Sequence, residues 1–393
     1  MKLVVNVSCL QGPLTGIGYY TLNLLKELYQ APHIQDIQGI STTQCYTMDE
    51  LWQRMCELEH NCGAEPGRSP SQPSGTMRRY VAAIPGARQM RHRVMAVKAR
   101  RRAAQYCDYV YWEPNYLLLP LAGTAVTTVH DLSHIRFPQY HPVDRVRLME
   151  KQLLQSLRTA AKVITVSEFS KSEIINLLDV PEEVISVVPP AVADVFRTTW
   201  PKKVQSQVRE RYGLPKQFIL SVGTLEPRKN LLGLLNAFAS LPESLQKAFP
   251  LIIAGADGWR MNGFEKLISK LEARGGLIRL GYVCSGDLPV LYSLAELVAY
   301  PSFYEGFGMP VAEAMAAGTC VLTSNQASMP EVAAGAAELV DPYDVESIAF
   351  GLERVLSDSA LNQSLAARGK QYAEAYTWSS SASNLIHALK QVS

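Results

Sequence analysis

Short apolar runs recur along the chain, and between them apolar residues return every three or four positions. LVVNV (3–7) leads into a helix expected over about 17–29. DYVYWE (108–113), AVTTVHD (125–131) and KVITVS (162–167) read as strands, with a long helix over 142–161 that has Pro142 near its start. SKSE at 170–173 reads as a capping box opening the next helix. EVISVVPP (183–190) closes this half, and AVADVFRTTWPKKVQSQ (191–207) reads as a linker. The pattern then restarts. FILSVG, PLIIAG, LIRLGYV, ELVAYPS and TCVLTS are strands with helices between them. None of these runs alternates apolar with polar, as expected of strands buried on both faces of a parallel sheet. The predicted class is α/β, with two doubly wound, Rossmann-like domains facing a cleft. The expected boundaries are 1–197 and 198–375, with a final helix, 376–393, crossing back onto the first domain.

Composition changes this picture little. The chain has 393 residues, too many for one core. A net charge of +2 does not point to nucleic acid. MKLVVNVSCL reads as a strand entering a polar loop, not as a secretory leader, and no apolar run approaches a membrane span. Seven scattered cysteines without a CxxC fit reduced thiols, so a cytoplasmic protein is expected. Charge is unevenly placed, however. Residues 66–107 hold ten Lys or Arg (Arg68, Arg78, Arg79, Arg88, Arg91, Arg93, Lys98, Arg100, Arg101, Arg102) and no Asp or Glu. The window opens as a flexible linker and continues as a helix with Met90, Val94 and Val97 on one side. It reads either as a solvated helix face or as a surface for anionic lipid or a pyrophosphate-bearing acceptor, the latter implying a peripheral position on the inner face of the plasma membrane.

In doubly wound sheets ligands lie beyond the carboxyl ends of the strands, and three segments there carry polar chemistry. SVGTLEPRKN (221–230) places Arg228 and Lys229 at a turn into a helix, an arrangement suited to a diphosphate; the alternative is an exposed basic turn. GPLTGIGYY (12–20) sets Gly12, Gly16 and Gly18 in the first strand-to-helix turn, but neither a GxGxxG nor a GxxxxGK[ST] motif is met. YPSFYEGFGMPVAEAMAAGTCVLTS (300–324) puts Glu305 in a glycine loop and Glu313 on the first turn of a helix expected over 310–317. Carboxylates would repel phosphate, so they are expected to hold sugar hydroxyls, each accepting two hydrogen bonds from a diol.

Together, GTLEPRKN, RLGYV, PSFYEGFGMPVAEAMAAG and PEV resemble the family 4 retaining glycosyltransferases of the GT-B fold, closely over the second half and more loosely over the first, through the glycine loop and TTVHDL. Glu305 and Glu313 match the family's E-x7-E motif. The resemblance implies that Arg228 and Lys229 hold the donor diphosphate, Glu313 the ribose and Glu305 the transferred sugar. Gly306, Phe307, Gly308 and Met309 would form the loop whose backbone N–H groups meet sugar or phosphate, and Tyr282 and Val283 would line the base pocket. Gly16 would lie against the diphosphate, and His130 would contact the donor sugar. Thr224 stands where many relatives carry arginine. The bland reading of His130 is a satisfied structural histidine.

A retaining, metal-independent hexosyltransferase without a cofactor is therefore expected, since no paired-aspartate motif matches a metal site. The string resembles mannosyltransferases of bacterial surface-polysaccharide assembly such as O-antigen and lipopolysaccharide. That implies GDP-mannose as donor and, given the basic window, a lipid-linked saccharide as acceptor. The alternatives are a UDP-sugar donor (glucose, galactose or N-acetylglucosamine), a sugar-nucleotide epimerase of the same fold, or a non-catalytic nucleotide-sugar-binding protein.

Overall fold

The computed structural model describes residues 1–11, 14–41, 44–62, 87–255 and 265–393. These form two compact units. One holds the described residues up to Asn61, those from 87 to Ala191, and Trp378–Ser393; the other holds Val192–Thr377. The division falls at 191/192 instead of 197/198 for a local reason. Arg197 donates to Tyr376 O (2.8 Å) and Ala373 O (3.0 Å), tying the turn Asp194–Arg197 to the second unit. The expected linker over 191–207 also gives way, to this turn and a helix, Lys202–Tyr212, that starts behind Pro201.

The first unit is built on a seven-stranded sheet in the order β3-β2-β1-β4-β5-β6-β7. Its strands are β1 Lys2–Asn6, β2 Asp36–Ile40, β3 Cys45–Tyr46, β4 Val110–Glu113, β5 Ala125–Val129, β6 Lys162–Thr165 and β7 Ile185–Val187. Only the edge strand β3 is antiparallel. The second unit has a six-stranded, all-parallel sheet, β10-β9-β8-β11-β12-β13. These are β8 Ile219–Val222, β9 Leu251–Ala254, β10 Leu277–Gly281, β11 Leu297–Tyr300, β12 Cys320–Ser324 and β13 Glu338–Val340. The unalternating runs are buried as read: β4, β6, β9 and β11 have no exposed residue. Leu234, Leu235 and Phe238 on one face of the helix Leu231–Ser240 pack against this sheet, while Leu232 on the other face stays exposed.

Local signals mostly place the elements correctly. Gly16–Gln30 and Val143–Thr159 are helices, the latter behind Pro142. The expected SKSE cap does not form. The helix begins at Glu168, and Ser167, at the end of the β6 run, caps it by accepting from Ser170 N (3.0 Å). The basic helix spans Ala87–Arg102 and tightens into a 3-10 turn, Ala103–Tyr106. Arg68, Arg78 and Arg79 lie outside the described residues. The last helix, Trp378–Lys390, packs on Gly16–Gln30 within the first unit, with Ser381 Oγ donating to Pro189 O (2.6 Å).

Candidate active site

Strand order reverses between β8 and β11 in the second sheet, and at such a reversal the two flanking loops diverge and leave a crevice. The loop after β8 carries Thr224, Glu226, Arg228 and Lys229; the loop after β11 carries Glu305 and the glycines. Asn230 fastens one to the other. It sits in left-handed backbone (φ 56°), accepts from Gly233 N to cap the helix Leu231–Ser240, and donates to Pro301 O (3.1 Å) and Pro342 O (2.6 Å). Phe303 N donates to Arg228 O (3.0 Å), which completes the tie.

The basic pair and the first glutamate meet. Arg228 donates to Glu305 Oε2 (2.8 Å), to Tyr304 O (2.8 Å) and to Glu226 Oε1 (2.7 Å). Lys229 Nζ bonds Glu305 Oε1 (2.5 Å) and the Tyr300 hydroxyl, and that hydroxyl donates to Glu305 Oε1 (2.9 Å). Burial alone would raise the Glu305 carboxyl, but the Arg228 and Lys229 charges outweigh it and hold the group below its ordinary value. Two cations and two carboxylates form one partly buried network, so an arriving diphosphate would compete with Glu226 and Glu305 for Arg228 and Lys229.

Glu313 is in a different situation. The helix is Met309–Ala316, with Gly308 as its cap and Pro310 in its first turn; Glu313 is its fifth residue, one position further in than expected. Its carboxylate accepts from the Tyr292 hydroxyl (2.9 Å). With no cation among the described residues to offset it, burial pushes the Glu313 carboxyl up to about 7. Ser328 Oγ donates to Glu305 O (3.0 Å) and Phe307 O (2.8 Å), pinning the loop in which Gly306, Phe307 and Gly308 are buried. Gly308 has φ +109°, and a Cβ there would press on Met329. As the first helical residue, Met309 has no intrahelical acceptor for its N–H. Thr224 is exposed, following Gly223 (φ +142°) at the tip of β8. Beyond β10, Tyr282 is exposed and Val283 buried.

In the first unit, Gly16 opens its helix with open space where a Cβ would stand, so the fold itself does not demand glycine there. Gly18 is the constrained one, since a Cβ would come 3.0 Å from Leu14 Cδ2 and 3.1 Å from Cys9 O. Gly12 lies outside the described residues. His130 follows β5, with its ring edge-on to Tyr20 (5.2 Å between centroids). Its Nε2 is 2.8 Å from Pro114 O. A carbonyl only accepts, so Nε2 carries the proton. Burial lowers the His130 pKa and favours the neutral ring, which leaves Nδ1 as an acceptor. Glu226, Tyr292, Tyr300 and Asn230 had no role in the sequence reading. Glu226 and Asn230 lie inside the quoted GTLEPRKN string, whereas a tyrosine in an apolar run reads as core.

Two doubly wound units, with polar clusters beyond the carboxyl ends of their strands, define the two-domain GT-B fold. The family model described as Glycosyltransferase Family 4 matches residues 15–194, and that described as Glycosyl transferases group 1 matches residues 204–372. The chain is 36% identical over 391 residues to the O-antigen chain mannosyltransferase B of Escherichia coli, covering 99% of this chain and 100% of the relative. It is 30% identical over 232 residues to the O-antigen chain mannosyltransferase RfbU of Salmonella typhimurium (strain LT2), covering 58% of this chain and 60% of the relative. Among solved structures, that of Anabaena HepE in complex with UDP-glucose superposes with a TM-score of 0.72 at 18% identity, covering all of both chains. WaaG, a glycosyltransferase involved in lipopolysaccharide biosynthesis, gives a TM-score of 0.66 at 17%, again over all of both. The two structures speak for the fold alone. The chain belongs to the family 4 glycosyltransferases and is a transferase, which bears out the expected fold class.

Proposed function

We propose that this protein transfers mannose from GDP-mannose to a saccharide acceptor, lipid-linked, in bacterial surface-polysaccharide assembly, with retention of configuration and without a divalent metal. The observation that carries the reading is the end-to-end likeness to a curated mannosyltransferase. In this reading the second unit holds the donor. Charge gathers on the departing diphosphate as the anomeric carbon becomes cationic. Arg228 and Lys229, already in place, stabilise that charge more in the transition state than in the ground state. Glu305 orients the sugar and favours the developing cation, and Glu313 takes the ribose hydroxyls. The leaving phosphate accepts the acceptor's proton on the same face, so no protein nucleophile is assigned. The first unit holds the acceptor. Its basic helix supports a peripheral membrane position: Met90, Val94 and Val97 are 63%, 44% and 50% exposed among arginines and lysines. No described helix is long and apolar enough to cross a membrane.

The test is incubation with GDP-mannose, UDP-glucose, UDP-galactose and UDP-N-acetylglucosamine, with and without lipid-linked saccharides, detecting released nucleoside diphosphate. Release from GDP-mannose that depends on acceptor is expected. Release only from a UDP-sugar would replace the donor, and conversion of a nucleotide sugar without acceptor would favour an epimerase.

A further inference from the structure

The first sheet has its own reversal of strand order, between β1 and β4, and a buried carboxylate stands there. Glu113, the last residue of β4, is 2% exposed. Its Oε2 accepts from Asn6 Nδ2 (2.7 Å) and from the Tyr111 hydroxyl (2.6 Å), and its Oε1 accepts from Asn115 N (3.1 Å). Each arm reaches a different loop. Asn6 ends β1, and its Oδ1 accepts from Ser8 N (3.1 Å), shaping the segment that runs toward the glycine turn. Asn115 belongs to the turn after β4, where Tyr116 holds a left-handed backbone (φ 65°) that non-glycine residues rarely adopt.

That turn faces His130 directly. Pro114, between Glu113 and Asn115, supplies the carbonyl that accepts from His130 Nε2. The Tyr116 hydroxyl accepts from Asp131 N (3.1 Å), and its ring meets the His130 ring edge-on at 5.8 Å. A strained turn persists only where its surroundings over-determine it. Thr127 Oγ1 donates to Tyr116 O (2.8 Å) on the strained residue itself, and the Glu113 bond to Asn115 N restrains the residue before it.

We infer that Glu113 is a positioning residue for His130. It clamps the turn 113–116 so that the Pro114 carbonyl keeps the imidazole proton on Nε2 and leaves Nδ1 free to accept a hydrogen bond from a sugar hydroxyl. Glu113 itself touches no substrate. The sugar contact rests on the glycosyl-transfer reading above; the tautomer does not.

The test uses the full chain with Glu113→Ala, Glu113→Asp and Glu113→Gln. Alanine removes all three acceptor bonds, aspartate withdraws the carboxylate by one methylene, and glutamine keeps an oxygen that reaches Asn115 N. The ring-nitrogen 15N shifts of His130 report its tautomer without turnover, and kcat/KM for the nucleotide sugar reports the consequence. Wild-type protein should show a single Nε2-protonated tautomer at pH 7.5. Alanine and aspartate should mix the tautomers and lower kcat/KM about tenfold, the value of one buried hydrogen bond. Affinity for free GDP, a property of the second unit, should not change, and glutamine should restore most of both readouts. If alanine does not fold, aspartate carries the test. Unchanged His130 shifts in a folded alanine or aspartate variant would overturn the proposal. Loss of folding in all three variants would also overturn it, by assigning Glu113 to the core. A His130 response without turnover of any nucleotide sugar would uphold the clamp and defeat the glycosyl-transfer reading instead.

Discussion

Replacing Glu313 with glutamine should abolish a pH dependence, not merely weaken a contact. Burial raises the Glu313 carboxyl to about 7, and the Tyr292 hydroxyl is the donor that partly offsets it. An ionised carboxylate can accept from both hydroxyls of a ribose, whereas a protonated one has given up part of its acceptor capacity. Nucleotide binding should therefore favour the ionised form. At pH 8 about nine-tenths of the sites are ionised and at pH 6 about one-tenth, so affinity should drop roughly tenfold between them. Hydrogen bonds to a charged group contribute about 1.5–3 kcal/mol, so at pH 8 the wild type should bind GDP roughly 10- to 100-fold more tightly than Glu313→Gln. At pH 6 that ratio should shrink by about tenfold. Calorimetric titration of both proteins with free GDP at several pH values measures it, and the ratio cancels the nucleotide's own phosphate ionisation. The same shift bears on stability. The native carboxyl keeps its proton up to about 7 while the unfolded one releases it near 4.3, so Glu313 costs stability as pH rises between these values, and glutamine should relieve that cost above pH 7. A wild-type to variant ratio that does not change between pH 6 and 8 would refute the ribose assignment or the raised pKa.

Glu305→Gln should behave differently. The lost charge is paired with Arg228 and Lys229, so affinity for free GDP should hold or rise while kcat falls; weakening equal to that in Glu313→Gln would contradict the division of roles. Gly308→Ala forces a side chain into φ +109° beside Met329 Sδ (3.0 Å), at a cost of about 1–2 kcal/mol. A melting shift of roughly 2–8 °C downward is expected in thermal unfolding, and an unchanged Tm would show that the loop relaxes freely. The basic helix should bring the protein down with anionic vesicles but not neutral ones, each cation contributing about 1 kcal/mol, and salt should release it; equal binding to both, or to neither, counts against the membrane reading. The product should be α-linked from an α-linked donor, and an NMR coupling constant typical of a β-linkage would exclude retention.

The sheets were legible because burial on both faces writes itself into short, unalternating apolar runs. β2, β3 and β13 escaped because DIQGI mixes polar with apolar residues, CY is two residues long, and ELV only three. The cap at Ser167 escaped because SKSE satisfies the same chemistry three residues later, and only the end of β6 decides which hydroxyl is at hand. Arg228, Lys229, Glu305 and Glu313 were singled out from spacing and family likeness. Glu113 was not, because a carboxylate at the end of YVYWE looks like any strand terminus until Asn6, 107 positions away, is seen to meet it.

What the sequence determined by itself is the period of each element and the placement of charge next to strand ends, since both follow from local sterics and from the exclusion of apolar side chains from water. The tertiary structure decided which strand ends became neighbours. Arg228 and Glu305 are 77 residues apart along the chain, and only the order β8-β11 brings them to 2.8 Å. Protonation is decided at the same level. Two glutamates eight positions apart are held on opposite sides of the ordinary value, because two cations offset the desolvation of Glu305 while among the described residues Glu313 has a tyrosine hydroxyl alone. Coulomb energy and desolvation depend on distance and burial in space, and separation along the chain encodes neither.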